Sequence, residues 1–469
     1  MTSDELIKDI CAKEIQSGCY SHTINGIAVY NYVKKFLRKQ KCREYGFFSD
    51  YKTKRVDKKT RTITIIRSSC QLFSLLLFKK EIRNFIYAFP RVDKVNGIYL
   101  DKFTDPVIDN SIIKEQGYII FEKGKNYTHL TPREHSNKVI YCDAIDFYSD
   151  VIAQKTLRRF MKKNKSEFDG LWQSIDAAFP NVVYYKKITA HTILQSYIST
   201  KIYEFIFKRL SIVNLFAPGR GAFSTLIPAA KLAGVKVFEM QHGVTYGESV
   251  TYSGYRDPLF IPDFFLSFGE NKPVDVYGIS PDKIYNIGYA FIEYLNNCIS
   301  ASVEDKISDN DILVVSEPHI TITILSVISQ LAEQNPSIKF HFRPHPEEYL
   351  TDEQIKTIGS ISNIVIDDNK QNILIVLNKF NYVIGENSTV LYEALSMGKK
   401  VGKLSMEGLI PRFLSKEDEN SFYIISNNED FVSYLNSSKD IRQSKQIYSS
   451  FQSSIVNSLL NYNCPNDVE

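Results

Sequence analysis

IKFHFRPHP, residues 338–346, is the stretch that decides how this chain folds. Ile338–Phe342 has the aromatic and β-branched character of a strand, and Arg343-Pro344-His345-Pro346 ends it. The two prolines fix the local backbone and remove two amide donors, so the imidazole of His345 is held rigidly where the strand stops. An arginine at that point can grip a phosphate with two hydrogen bonds. The plainer alternative is a turn with a capping histidine.

Working outward, the same alternation repeats on both sides. Ile312–Val315 reads as a strand and 320–334 as an amphipathic helix. Ile364–Ile366 is a strand, 371–379 a helix, and Tyr382–Ile384 a strand that runs into Glu386-Asn387-Ser388-Thr389. Val390–Met397 is a helix closed by Gly398, Lys400–Leu404 is the last expected strand, and 428–462 is helical by pattern. Strands alternating with helices predict a doubly wound parallel sheet, which binds ligands at the carboxyl ends of its strands. Ser388 and Thr389 precede a helix, where a hydroxyl caps the free amides and the helix dipole favours an anion. Glu393 follows about one turn later, and Glu317-Pro318-His319 stands at another strand end, so Glu317 and His319 are further cleft candidates.

Upstream, Ile212–Phe216 reads as a strand, Pro218-Gly219-Arg220-Gly221 as a turn, Ser224–Leu232 as a helix and Val235–Met240 as the next strand. That strand delivers Gln241-His242-Gly243. A histidine titrates near neutral pH and suits a general base, and the glycine beside it allows close approach by a substrate. Phe264–Phe268 and Ile284–Ile287 add strand-like segments, as does the β-branched Thr62–Ile66. Tyr99–Ile108 is turn-rich and carries Asp101 and Asp105, Val139–Tyr148 is a strand candidate carrying Asp143 and Asp146, and 151–210 is mostly helical. Residues 295–309 are polar and acidic. They are expected to separate a first domain, 1–294, with helical elaboration, from a second, 310–469, that carries the phosphate-type motifs and so would bind a phosphate-bearing substrate. The expectation is therefore an α/β chain of two Rossmann-type doubly wound domains facing a cleft.

The bulk numbers agree. With 469 residues, 43% hydrophobic and 13% aromatic, the chain can bury two ordinary cores. A net charge of +4 is too small to suggest a nucleic-acid partner. The excess gathers at 33–63, which reads as a solvated face or as a contact for an acidic glycan or anionic membrane. Seven cysteines without a CxxC pair fit a reducing cytoplasm, and neither a disulfide framework nor a zinc site. The N-terminus lacks a signal-peptide core, and the apolar run at Leu72–Phe78 is too short to span a bilayer. Any membrane contact would be peripheral, on the inner face.

At these residues the sequence resembles the GT-B transferases that build bacterial surface polysaccharides. That group includes the capsule Kdo transferases, the bacterial sialyl- and polysialyltransferases, and the CDP-glycerol glycerophosphotransferases of teichoic acid synthesis. Their His-Pro and Ser/Thr motifs bind the phosphate of a cytidine nucleotide, and His345-Pro346 and Ser388-Thr389 resemble them. Gln241-His242-Gly243 is similar to the Trp-His-Gly of the glycerophosphotransferases, with glutamine in place of tryptophan. The resemblance implies a GT-B fold and His242 as base. In a retaining enzyme it implies an aspartate nucleophile, for which Asp143 and Asp146 are the candidates by position. It implies no metal cofactor, since protein groups neutralise the leaving phosphate, and no clear DxD motif stands near a strand end. The implied donor is a CMP-activated acidic sugar, such as Kdo or a sialic-acid-like sugar. It would pass to a glycan or lipid-linked glycan acceptor in capsule or lipopolysaccharide O-antigen biosynthesis. The alternatives are a CDP-glycerol or CDP-ribitol phosphotransferase, a UDP-N-acetylglucosamine 2-epimerase-like enzyme, and a scaffold that keeps the fold without catalysis.

Overall fold

The structure is a computed structural model. It describes residues 2–47, 57–77, 82–88, 92–220, 224–270, 277–299, 310–317, 320–345, 350–414, 416–437 and 448–461. Two parallel sheets organise it. The first has seven strands in the spatial order Ile284–Asn286, Phe264–Ser267, Lys236–Met240, Asn214–Pro218, Asn84–Tyr87, Tyr118–Glu122, Val139–Tyr141. The second has six, in the order Ile364–Ile366, Phe340–Arg343, Ile312–Val315, Tyr382–Gly385, Lys400–Leu404, Tyr423–Ile425. Every neighbouring pair in both sheets is parallel. In chain order, the second sheet reads 3-2-1-4-5-6, and the first has the same winding with a seventh strand added at one edge. This is the Rossmann topology. Two such domains facing a cleft form the GT-B arrangement.

Helices cover both faces of each sheet, so successive residues of one strand are buried on opposite sides. Phe85 and Tyr87 enter one core, and Ile86 enters another. Likewise Leu313 and Val315 face one way in the second domain, and Ile312 and Val314 the other. The core of Leu313 and Val315 also takes in Leu100, Phe103, Phe268 and Tyr289 of the first domain, so one apolar cluster runs across the domain boundary.

The domain boundary drawn from sequence needs one correction. Helix Ser453–Asn461 packs Val456 and Leu460 against Ile86, Phe216 and Leu266 of the first domain. The chain leading to it is pinned there too, since Ser449 N–H donates to Phe268 O at 2.8 Å and Gln452 N–H to Ile287 O at 2.7 Å. The tail thus returns to the first domain. Its helical pattern says which face is apolar, and nothing about which domain receives that face.

Two other expectations fail. Thr62–Ile66 lies in helix Lys58–Leu77, not in a strand. Thr64 and Ser68 face inward there, and Ser68 Oγ donates to Tyr141 O, so tertiary contact overrides β-branched propensity. The second is the basic stretch 33–63, which is not one solvated face. Arg38 on helix Lys34–Glu44 is fully buried, and its Nε donates to Glu14 Oε1 at 2.7 Å. Burial also pushes the ammonium groups of Lys34 and Lys35 down to about 8.

Candidate functional site

The strand ends of the two sheets converge on one cavity of about 820 Å³. The first domain contributes the segment Val92–Phe103, the loop from His242 to Tyr246, and the side chains of Phe268 and Tyr289. The second contributes Glu317, Arg343, His345, the Asn369–Ile373 loop, Asn387–Val390, Glu393 and Arg412.

Sequence dictates the local geometry at the centre of the second sheet. Winding reverses between Ile312–Val315 and Tyr382–Gly385, which opens a crevice between the two loops that leave these strands. Gly385 is needed there, because a β-carbon on it would lie 2.8 Å from Val315 Cγ2 and 2.9 Å from Val315 O. Beyond it, Glu317 carboxylate accepts from Asn387 N–H and ties the two central loops together. Ser388 caps helix Thr389–Ser396, with Val390 N–H donating to Ser388 Oγ at 3.3 Å. The Ser388 hydroxyl thus serves as the cap at this helix end.

Arg343 is buried, and burial holds its guanidinium below the ordinary arginine range. Its Nη1 donates to Asp367 Oδ1 at 3.1 Å and its Nη2 to Gln371 O at 2.6 Å. Asn369 Nδ2 donates to Pro344 O at 3.0 Å, so the Asn369–Asn372 loop is clamped to the end of the Arg343 strand. His345 lines the same cavity. Pro346 and His319, the remaining second-domain candidates, lie outside the described residues.

On the opposite wall, Gln241 locks the histidine loop. Its Oε1 accepts from Phe268 N–H at 2.8 Å, and its Nε2 donates to Gly243 O at 3.1 Å. Glutamine at this position is a brace. His242 lies over the Pro218-Gly219 turn, and a β-carbon at Gly219 would meet His242 Nδ1 at 2.6 Å. Arg220, the cation of that turn, is engaged by the buried Glu239, with Nε donating to Oε2 at 3.0 Å. The turn therefore shapes the seat of His242 and does not cradle phosphate with Arg220. Val244 N–H reaches across to Thr389 Oγ1 at 3.4 Å, so the histidine loop touches the second-domain helix end directly.

Asp143 and Asp146, the aspartates assigned by position, are not brought to the cavity. They lie in the first turn of helix Asp143–Lys163, where the strand expected over Val139–Tyr148 stops at Tyr141. Asp143 Oδ2 is 2.8 Å from His129 Nε2, and Asp146 Oδ2 is 2.6 Å from Lys123 Nζ. They follow the far edge strand of the first sheet, Val139–Tyr141. Asp105 is also withdrawn, buried in an ion pair with Arg133.

Several cavity residues carried no sequence signal. Lys102 comes from the turn-rich stretch whose aspartates drew attention, and its Nζ lies 3.7 Å from the carboxylate of Glu393 in the other domain. Glu393 is only 3% exposed. Arg412 Nη2 donates to Asp4 Oδ1 and Oδ2, both at 2.8 Å, joining the N-terminal helix to the second domain. Beneath it, Lys403 is fully buried with its ammonium 5.2 Å from the Tyr246 ring centre and 4.6 Å from that of Phe422, and it donates to Arg412 O. Burial pushes Lys403 down to about 8. Among the described residues, no group of three or more His, Cys, Asp or Glu side chains is placed to hold a metal ion.

No family model matches the sequence, and no curated protein matches it. Among solved structures, the chain is similar to the UDP-GlcNAc 2-epimerase from Methanocaldococcus jannaschii, at 11% identity and a TM-score of 0.48, over 82% of this chain and 100% of that one. It is similar to a putative UDP-N-acetylglucosamine 2-epimerase from Listeria monocytogenes, at 10% identity and a TM-score of 0.46, over 81% and 95% of the two chains. It is also similar to the wall teichoic acid polymerase TagF, at 10% identity and a TM-score of 0.44, over 87% and 98%.

Proposed function

We propose that the chain is a transferase that holds a nucleotide-linked donor in its second domain and passes the activated group to an acceptor hydroxyl reaching His242 from the first. The observation that carries this is the meeting of His242 with Arg343, His345, Ser388 and Thr389 around one cavity. A candidate base from one sheet faces a set of phosphate-type groups from the other.

The chemistry follows from that pairing. His242 takes the proton of the acceptor hydroxyl as it attacks. Arg343, His345 and the amides at the Ser388 helix end stabilise negative charge on the departing nucleotide phosphate. In this reading Glu393 accepts from a ribose hydroxyl. Asp143 and Asp146 receive no role.

The donor is taken as a cytidine nucleotide on the resemblance of the His-Pro and Ser/Thr motifs. Two versions differ in phosphate count. Among the described residues, five cations line the cavity, Lys94, Lys102, Arg343, Lys370 and Arg412, against three carboxylates, Asp93, Glu317 and Glu393. The cations stand on both walls, a spread that suits a diphosphate. We therefore rank a CDP-linked donor of the glycerol or ribitol type, feeding surface-polymer synthesis, ahead of a CMP-linked acidic sugar. Thermal shift with CMP, CDP, UDP and GDP tests this. Stabilisation by CDP above CMP, with UDP and GDP inert, is the expected result. Stabilisation by CMP above CDP returns the CMP-sugar donor. Preference for UDP moves the chain to the epimerase-like alternative, and no response to any nucleotide overturns the proposal.

A further inference from the structure

Helix Lys58–Leu77 packs its inner face on the first domain and leaves an ordered apolar row outside. Ile63, Ile66, Phe73 and Leu77 are 56%, 58%, 66% and 56% exposed, and Cys70 between them is exposed as well. Their spacing of three, four, three and four places all five on one stripe of the helix. A stripe of this kind normally faces a core, and here the core side is already taken by Thr64 and Ser68. The patch continues onto the neighbouring helix Asp143–Lys163. Ser69 Oγ and Tyr148 OH are 3.2 Å apart, and Tyr148 and Ile152 are both exposed. An exposed apolar patch in several adjacent side chains marks an interaction surface.

Charge selects the partner. The twenty residues of helix Lys58–Leu77 include no acid, and Lys59 stands on the apolar stripe itself, four residues before Ile63, while Arg61 and Arg67 stack on Tyr127 and Tyr141 of the first domain. On the second helix, the stripe that begins with Tyr148 and Ile152 continues as Lys155 and Arg159 at helical spacing, both exposed. A second copy of the chain docked through this face by two-fold symmetry would set these cations against themselves. A bilayer with anionic headgroups satisfies both halves of the pattern, taking the apolar side chains into the acyl boundary and the cations at the headgroups. Among the described residues, no helix is long and apolar enough to cross a membrane, so the contact would be made from the surface.

We infer that the outer face of helix Lys58–Leu77, with the adjoining stripe of Tyr148 to Arg159, is a docking surface for an anionic lipid bilayer. The inference is independent of which donor the cleft takes. It also narrows the membrane contact expected from the basic stretch at 33–63 to its last residues, from Lys58 to Ile63, and extends it along the helix.

The test is co-sedimentation of the full chain, at low salt, with vesicles of phosphatidylcholine alone or mixed with phosphatidylglycerol. The wild type should sediment with the mixed vesicles only. Ile66→Ser combined with Phe73→Ser should abolish this. Lys59→Gln combined with Lys155→Gln should weaken it by about fivefold per cation removed. Substituting Val183→Ser and Ile188→Ser, exposed apolar residues outside the patch, should leave it unchanged. A Phe73→Trp variant gives a direct reading, because the native Trp172 is buried and the new indole should shift to shorter emission wavelength on mixed vesicles. A wild type that ignores the mixed vesicles overturns the inference. So does a self-associated species in solution that dissociates on Phe73→Ser, which would make a second copy the occupant.

Discussion

Gly219 and His242 are in contact across two turns of the first domain, and the contact admits no side chain at residue 219. A β-carbon there would lie 2.6 Å from Nδ1 and 2.8 Å from Cε1 of the imidazole, and Gly219 also has a φ of +80°. The two motifs thus form one device, in which the turn sets where the imidazole points. Gly219→Ala should push the ring from its seat. It should lower kcat in the same direction as His242→Ala, for which a loss of ~10²–10⁴-fold is the usual worth of a general base. Nucleotide affinity should hardly change in either variant, since both positions belong to the acceptor wall. Steady-state kinetics beside nucleotide titration checks this, and a Gly219→Ala enzyme with normal kcat would separate the turn from the base.

Glu317 supports a second prediction. Its carboxylate accepts from Asn387 N–H beside the helix end proposed to hold phosphate. It therefore organises the loop but sets a negative charge near an anionic ligand. Glu317→Gln keeps an oxygen acceptor and removes the charge. The Kd for CDP should fall roughly three- to tenfold, the scale of one nearby unit charge at an effective dielectric typical of protein sites. Weaker binding by this variant, measured by calorimetry, would show that the carboxylate contacts the donor favourably.

The second domain was legible because its short apolar strands alternate with amphipathic helices and end in Gly, Pro or hydroxyl residues. Ile364–Ile366 and Lys400–Leu404 are observed at the residues expected. Strands Asn84–Tyr87 and Tyr118–Glu122 were missed although both are interior to the first sheet, because no long amphipathic helix follows either of them to mark the strand–helix alternation. Thr62–Ile66 misled because local propensity says strand while tertiary packing demands helix. At the site, His242, Arg343, His345 and Ser388 stood out because each sits at a strand end that a local pattern reveals. Lys102 and Arg412 did not, since a long cation in a loop reads the same whether it faces a cleft or water. Asp143 and Asp146 were chosen by position along the chain, and the sheet order puts that position at an outer edge.

The buried pair of Glu14 and Arg38 yields a prediction on stability. Both side chains are fully buried, and Arg38 Nη1 also donates to Ser253 O at 2.8 Å and Val250 O at 3.0 Å. Glu14 in turn accepts from Tyr30 OH at 2.7 Å and Tyr20 OH at 2.7 Å. Removing one partner leaves an uncompensated charge in the core. Glu14→Ala should cost about 3–5 kcal/mol of stability. Urea unfolding followed by circular dichroism measures it, and a loss below about 1 kcal/mol would mean that water reaches the guanidinium.

His129 carries the last prediction, on pH. Its Nδ1 is 2.8 Å from Glu122 Oε1 and its Nε2 is 2.8 Å from Asp143 Oδ2. Both carboxylates only accept hydrogen bonds when ionised, so the ring satisfies both by donating from both nitrogens, which requires the charged imidazolium. Burial works against that charge, but the hydrogen bonds and charges of Asp143 and Glu122 outweigh it, and the pKa stands above the ordinary 6.5. The folded state therefore binds a proton more tightly than the unfolded chain. The stability this contributes is fully present below pH about 6.5 and is lost as pH rises through the folded value. Tm should fall across that alkaline window in the wild type, and more shallowly in His129→Gln, whose amide has no proton to release. The comparison between the two proteins isolates this residue from His135, whose pKa is raised in the same direction. Parallel Tm curves for wild type and His129→Gln above pH about 6.5 would show that His129 is already neutral in the fold.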